Sequence, residues 1–415
     1  MNNLRILLIG SYPPPYGGIA SHLKSLVPSL VSRNFGKVII LSFSNNNNNI
    51  NNYVGGASFF EFIIKKNIHL LFKPSSLLLI CYCLYYLNIF KIGFQRFLNE
   101  TISAIIANEI ANEYDVNIVS IYHSTSLMTL PLAKYWGNKR KIVLTVFGEV
   151  YGSSKFMIKN KKLIKRIIDS VTSVVSSSCH CADSFQKIGI KRNIQAVYYG
   201  VDLEVKKSTV KKIEFRNHFK IEQSSTVLLF MGRFLVDMGL DVILSIANNI
   251  FEYDKNIVLI LAGASGELSE KAKAISILFP KNILIFQDVS FELQKDIYNA
   301  SNILLAPSFD QRACMGIAIK EAMSYSMPVI GAAGGGVKEA IIHNKTGLLI
   351  ELDKDGKVNK NQLLESIKLL SGNKKMIENM GIKGRERVEQ IFSVNTTNDK
   401  MINLFYQSLE KIDEK

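Results

Sequence analysis

The chain has 415 residues, with 50 Lys or Arg against 35 Asp or Glu and a formal net charge of +15. At 47% hydrophobic and 20% charged it reads as globular, of about two to three domains, which excludes a disordered or fibrous protein. Its longest apolar run, Leu77 to Phe90, is 14 residues with Asn88 inside it, short of the ~18–20 that span a bilayer, and it suits a core or interfacial helix.

The charge is uneven. Residues 1–200 hold 22 Lys or Arg against 8 Asp or Glu, and residues 201–415 hold 28 against 27. An N-terminal half at +14 beside a C-terminal half at +1 points to an anionic partner for the first; codon bias toward Lys would load both halves alike. Five cysteines make no disulfide framework, and the apolar stretch Leu4 to Ile9 is too short for a signal-peptide core, so the expected compartment is the reducing cytoplasm. The pairs Cys81/Cys83 and Cys179/Cys181 lack a second cluster at zinc spacing, so no metal site is expected.

In chain order the pattern alternates strand and helix. LRILLIG is a short apolar run, SYPPPYGG a Pro/Gly loop, and a helix is expected from Ile19 to about Ser32 before the strand KVIILSF. The asparagine-rich stretch Asn45 to Asn49, with Asn51 and Asn52, reads as a surface loop. Further strands are expected at 116–122, 141–147, 170–176, 225–232, 256–263, 282–286, 302–308 and 327–332, mostly separated by helices, which makes an α/β protein with parallel sheets. The weakest pattern lies at about 203–222 and marks the domain junction, with residues 1–205 before it and 206–392 after it. The tail from residue 393 to 415 is an amphipathic helix by the spacing of Met401, Leu404, Phe405, Leu409 and Ile412.

Loops at strand ends carry the candidate chemistry. Gly17 and Gly18 open the first helix, either as a plain tight turn or as a place where backbone approaches a phosphate. Gly232 and Arg233 leave a strand, and an arginine there can grip a diphosphate with both nitrogens, unless it is merely solvated. From Pro307 a polar loop runs through Arg312, Cys314 and Met315 to Gly316, followed by a helix with Glu321, a strand, then Gly335 and Gly336 before a helix with Glu339. Such a pair of loops makes a nucleotide pocket, with amides for phosphate and a carboxylate for ribose hydroxyls; the alternative is that both glutamates are solvated helix faces. His123, at the end of a strand in IYHSTS, is placed to orient an acceptor hydroxyl or act as a base, or is a structural strand-end histidine. Basic positions Lys155, Lys159, Lys162 and Arg166, with Phe156, Leu163, Ile164 and Ile167 between them, form a basic amphipathic helix suited to an anionic membrane surface, and Lys65, Lys66 and Lys73 add the same sign near 77–90. No stacking platform or recognition motif supports a nucleic-acid partner.

The order Gly17-Gly18, MGR, PS…MGIAIKEAMSYSMPVIG, GGGVKEAI and KTGLLI resembles family 4 of the retaining GT-B glycosyltransferases, over nearly the whole chain. The resemblance implies two Rossmann-like domains with parallel sheets facing across a cleft, an N-terminal acceptor domain, a C-terminal nucleotide-sugar domain, and a last helix crossing back onto the first. It implies sugar transfer with retention of configuration from a nucleoside-diphosphate sugar to a growing polysaccharide or lipid-linked glycan, without metal or cofactor, peripherally at the inner face of the membrane. Carried over, Gly17 and Gly18 match the glycine loop against donor phosphate and sugar, Arg233 the diphosphate contact, Glu321 the second glutamate of the E-x7-E motif that holds ribose, and Gly335 and Gly336 the loop ahead of the last helix of the cleft. The chain departs from the pattern with Met238 for a lysine, Ala313 for the first glutamate, Phe147 for a histidine and Tyr199 for an asparagine. Arg312 is a candidate to replace the missing lysine charge, and Glu149 to meet sugar hydroxyls. Two readings follow: an active divergent transferase with Arg233, Glu149 and His123 at the chemistry, or a catalytically inactive partner or scaffold subunit.

Overall fold

The structure, a computed structural model, describes all residues except 1–3, 13–17, 34, 44–49, 55, 63, 89–91, 123–125, 149–159, 205–206, 312–313 and 411–415. The chain divides into two compact units, one of Met1–Tyr199 with Thr397–Lys415 and one of Gly200–Thr396.

The first unit is built on a sheet of eight strands in the order β3-β4-β2-β1-β5-β6-β7-β8. They are β1 (Arg5–Ile9), β2 (Lys37–Phe43), β3 (Ile50–Val54), β4 (Ala57–Phe62), β5 (Ile118–Tyr122), β6 (Lys141–Val146), β7 (Ser173–Ser176) and β8 (Gln195–Ala196). All neighbours pair in parallel except β3 with β4, which is antiparallel at the edge. Asn51 and Asn52 therefore lie in a strand and not in the expected loop, because β4 offers them a backbone edge to pair with; Asn45 to Asn49 lie outside the described residues.

From Ile6 to Ile9 β1 is apolar because helices cover both faces of the sheet. Leu7 and Ile9 enter one core with Ile102, Ile105, Leu132 and Ile167, whereas Ile6 and Leu8 enter the other with Leu23, Leu26, Met401 and Phe405. The helix Val394–Glu410 thus buries Met401, Ile402, Leu404 and Phe405 in the first unit. It is tied there by Asn398, whose Nδ2 donates to the Ser25 carbonyl (3.0 Å) and Ser29 Oγ (2.8 Å), and by an ion pair of Asp399 with Arg33. Ile412, expected on the same face, lies outside the described residues.

The second unit has six parallel strands in the order β11-β10-β9-β12-β13-β14: β9 (Thr226–Met231), β10 (Ile257–Gly263), β11 (Ile283–Gln287), β12 (Ile303–Ala306), β13 (Val329–Ala332) and β14 (Gly347–Ile350). The basic stretch expected to be a weak junction forms a helix, Thr209–His218, capped by Ser208, whose Oγ accepts from the Lys211 amide. Its anchor is Arg216, fully buried yet without a carboxylate partner among the described residues. The guanidinium instead donates to the carbonyls of Ala300 (2.7 and 3.1 Å), Glu222 (3.3 Å), Gln223 (3.0 Å) and Ser225 (3.0 Å), and to Asn302 Oδ1 (2.8 Å). Burial holds its pKa down at about 10, so it remains charged at neutral pH.

Candidate functional site

In the second unit the chain runs outward from β9 through β10 to β11, then returns to lay β12 on the other side of β9. The loops after β9 and β12 therefore diverge at a topological switch point, where open α/β sheets bind ligands beyond the carboxyl ends of their strands. Backbone packing fixes these loops against one another. The Gly232 amide donates to the Ala262 carbonyl (3.0 Å), and Gly263, at φ +135°, lies so close to the Gly232 carbonyl that no Cβ fits. Gly239, at φ +77°, presses on the Pro307 carbonyl in the same way, and Ser308 Oγ donates to the Asp237 carbonyl (2.9 Å). Arg233 is exposed at this corner, and its side chain makes no hydrogen bond or ion pair among the described residues. Such a cation is available to an anionic ligand.

Glu321 lies on the helix Ile317–Ser324, which starts after Gly316 (φ +74°) in the β12 loop. It is not a solvated helix face. Its Oε2 accepts from Tyr298 Oη (2.8 Å) and from Gln294 Nε2 (3.0 Å), and those two residues share one face of the helix Phe291–Ala300 at i, i+4 spacing. Both donors converge on one oxygen, which leaves Oε1 without a hydrogen-bond partner among the described residues. Burial raises the pKa of Glu321, and the two hydrogen bonds and nearby Lys320 only partly offset that. Tyr325 stacks on Tyr298 with ring centres 5.3 Å apart and planes at 19°, and its buried Oη has no hydrogen-bond partner among the described residues. Tyr298, Gln294 and Tyr325 escape a reading by motif, because their link to Glu321 is spatial.

Lys320 is also buried, with Nζ 5.8 Å from the centre of the Phe392 ring. Burial pulls its pKa down to about 8, although Cys314 and Glu321 favour its charge. The unfolded lysine keeps its proton up to about 10.5 and the folded one sheds it near 8, so the protein gains stability as pH rises between those values. Lys320→Met should remove that gain, on the order of 3 kcal/mol, and stabilise the protein at pH 7. Urea denaturation of both proteins from pH 7 to 10 measures it, and parallel curves would show that Lys320 carries no such cost.

The other expected positions are distributed as follows. Met315 is buried, Cys314 half-buried and Gly316 exposed, all in the β12 loop. Gly335 (φ +52°) and Gly336 are buried after β13 and precede the short helix Val337–Ala340. That helix is closed by Arg387, which donates to the Glu339 (2.7 Å) and Ala340 (2.9 Å) carbonyls. Met238, where the family pattern has a lysine, packs against the hydrophobic core of this unit. In the first unit Gly18 is the exposed first residue of the helix Gly18–Ser32, with open space around it. Gly17, His123, Glu149, Arg312 and Ala313 lie outside the described residues, as do Lys155, Phe156 and Lys159; of the expected basic helix the structure describes Lys161–Ser170, with Leu163, Ile164 and Ile167 buried and Lys162 and Arg166 exposed.

Two departures from the family pattern meet in the first unit. Phe147 and Tyr199 pack edge to face (6.1 Å, 73°), and Tyr199 stacks on buried His22 (4.1 Å, 4°), so the polar pair expected there is replaced by one aromatic cluster. His22, one turn into the helix that Gly18 opens, escapes a reading of the sequence because a lone histidine in an apolar stretch gives no signal.

Comparison with known proteins agrees with this arrangement. Residues 211–387 match the family described as glycosyl transferases group 1. The N-acetyl-alpha-D-glucosaminyl L-malate synthase of Bacillus anthracis is 25% identical over 314 residues, 72% of this chain and 77% of that protein. The capsular polysaccharide biosynthesis glycosyltransferase CapM of Staphylococcus aureus is 24% identical over 219 residues, so that the chain spans about half of that protein's length (55%) and 52% of its own is matched. Among solved structures, Anabaena HepE in complex with UDP superposes with a TM-score of 0.72 at 15% identity, covering 97% of this chain and all of that one. The fold is GT-B, two Rossmann-like units with parallel sheets, and the stretch similar to the group 1 glycosyl transferases, residues 211–387, lies within the second unit.

Proposed function

We propose that this chain, with a group 1 glycosyltransferase domain at residues 211–387, moves a sugar from a nucleoside-diphosphate sugar to a growing polysaccharide or lipid-linked glycan with retention of configuration. The observation that carries the reading is the pairing, in one unit, of an exposed Arg233 at the switch point with a Glu321 carboxylate, the Arg233 side chain and Glu321 Oε1 both lacking a partner among the described residues. The relatives point the same way: one is named for glucosaminyl transfer, another for capsular polysaccharide synthesis, and HepE was crystallised with UDP.

In this account Glu321 Oε1 accepts from a ribose hydroxyl while Tyr298 and Gln294 hold the carboxylate in place. Arg233 and the loop amides around Gly335 and Gly336 stabilise the charge that grows on the leaving diphosphate as the glycosidic bond lengthens. The acceptor hydroxyl attacks the oxocarbenium-like centre from the face the phosphate leaves, and the departing phosphate takes its proton. Glu149, His123 and Arg312 remain candidates for contacts with sugar and acceptor, and the glycine pair at Gly17 and Gly18 for contact with the donor. The basic first unit faces an anionic membrane surface at the cytoplasmic side, where a lipid-linked acceptor is presented.

The test is incubation of the full chain with UDP- and GDP-sugars and membrane lipid extract, with the product's anomeric configuration read by NMR. A transferred sugar in the donor's configuration is expected. An inverted product would overturn retention, and nucleotide binding with no turnover on any acceptor would favour the inactive partner.

A further inference from the structure

We infer that the exposed apolar face carried by Phe72, Leu77, Leu78, Leu84, Tyr85 and Phe94 docks on an anionic phospholipid bilayer, held flat on the lipid surface. The inference extends the proposed lipid-linked acceptor and rests on that reading for its purpose, although its observations are independent of the donor site. The helix Leu77–Asn88, LLLICYCLYYLN, has no charged residue, yet only part of it is covered. Leu79 and Cys83 are buried in the core, while Leu77 (60% exposed), Leu78 (58%), Leu84 and Tyr85 are open to solvent. A helix that is apolar all round is normally buried all round. Phe72 (81% exposed), at the end of the preceding helical stretch, and Phe94 (78%), at the start of the next helix, are open to solvent on the two elements that pack on this helix.

Charge identifies the occupant. Residues 62–99 contain five Lys or Arg and no Asp or Glu. Among them Lys73 pairs with Glu109 (2.7 Å) and Arg96 with Glu100 (3.9 Å). The helix packs on Thr129–Trp136, and that helix packs on Lys161–Ser170, whose outer face carries Lys161, Lys162, Lys165 and Arg166 against Asp169. Exposed apolar side chains on a segment whose charged residues are all cations match the boundary between acyl chains and anionic headgroups. A water-soluble acidic protein would satisfy the cations but leave Phe72, Leu77 and Leu78 to be matched by a groove. The pieces Lys66–Phe72 and Pro74–Tyr86 meet at 82°, and no single described helix is long and apolar enough to cross a membrane. With Leu70, Leu79 and Cys83 committed to the core, the outer face dips into the lipid while the inner face stays on the sheet.

The experiment is flotation of the full chain with vesicles of phosphatidylglycerol and phosphatidylcholine, and with phosphatidylcholine alone. Binding to the anionic vesicles is expected, with partitioning reduced by about 100-fold in a Phe72→Ser, Leu77→Ser, Leu78→Ser variant whose nucleotide binding and melting temperature match wild type. As a second readout, Phe72→Trp should shift its emission to the blue on adding anionic vesicles; the native Trp136 is buried and provides a constant background. Equal binding by the triple variant, or no binding at all, overturns the inference. So does a wild-type dimer in ultracentrifugation that the triple variant dissolves, which would assign the face to a second copy. Because the substitutions lie outside the donor site, failure here leaves nucleotide binding, and the transferase reading, standing.

Discussion

Replacing Glu321 with Gln should weaken nucleotide binding by about ten- to a hundredfold while leaving the fold as stable as wild type, or more so. In the proposed donor site the loss is that of one charged hydrogen bond to ribose, ~1.5–3 kcal/mol. The stability follows from the raised pKa of this carboxyl, which is caused first by burial. A carboxyl whose folded pKa lies above its unfolded value near 4.5 gives stability at low pH and loses it as pH rises through the folded value. At pH 7 the buried charge is therefore a cost that Gln removes, while its amide oxygen still accepts from Tyr298 and Gln294. Urea denaturation at pH 4 and pH 7, beside calorimetry with UDP and GDP, measures both halves. A variant destabilised at pH 7 would mean that the carboxylate is a structural strut.

The largest stability effect should come from Arg216→Met. This substitution strips donors from four backbone carbonyls and from Asn302 Oδ1 at the base of β9 and β12. Buried acceptors left unsatisfied cost ~1–3 kcal/mol each before relaxation, so a net loss of about 3–5 kcal/mol is expected. Arg216→Lys should recover little, because a single ammonium cannot reach carbonyls spread around a planar fork. Denaturant melts read by far-UV circular dichroism should show an early transition for the second unit, with the first unit's transition unmoved. A shift under about 1 kcal/mol would mean that water replaces the guanidinium.

The ten strands expected from the sequence all form, because most are apolar runs buried on both faces, the edge strand β11 being only partly covered. Four further strands are not among those expected. β8 is two residues long, β3 carries asparagines along an edge where its backbone pairs with β4, and β4 and β14 are short runs of six and four residues. The helix Thr209–His218 has no apolar stripe to read because its principal anchor is an arginine that bonds to carbonyls. At the site, glycines and Glu321 stand out in sequence because backbone approach and carboxylate chemistry restrict residue type at fixed spacing. Tyr298 and Gln294 do not, since their contact with Glu321 spans 23 and 27 residues between separate helices. The aromatic cluster of His22, Phe147 and Tyr199 is visible in sequence only as two unrelated departures from a pattern, and packing shows them to be one substitution in space.

The central claim is that the second unit is a working nucleotide-sugar site. Its most direct test is calorimetric titration of the full chain with UDP, GDP and their sugar conjugates, beside Arg233→Ala. Because the Arg233 side chain is exposed and makes no hydrogen bond or ion pair among the described residues, its loss should leave the fold intact. Micromolar binding to one nucleotide, weakened at least about tenfold in Arg233→Ala, is the predicted result. Folded protein that binds none of them, or binds equally well without Arg233, would contradict it.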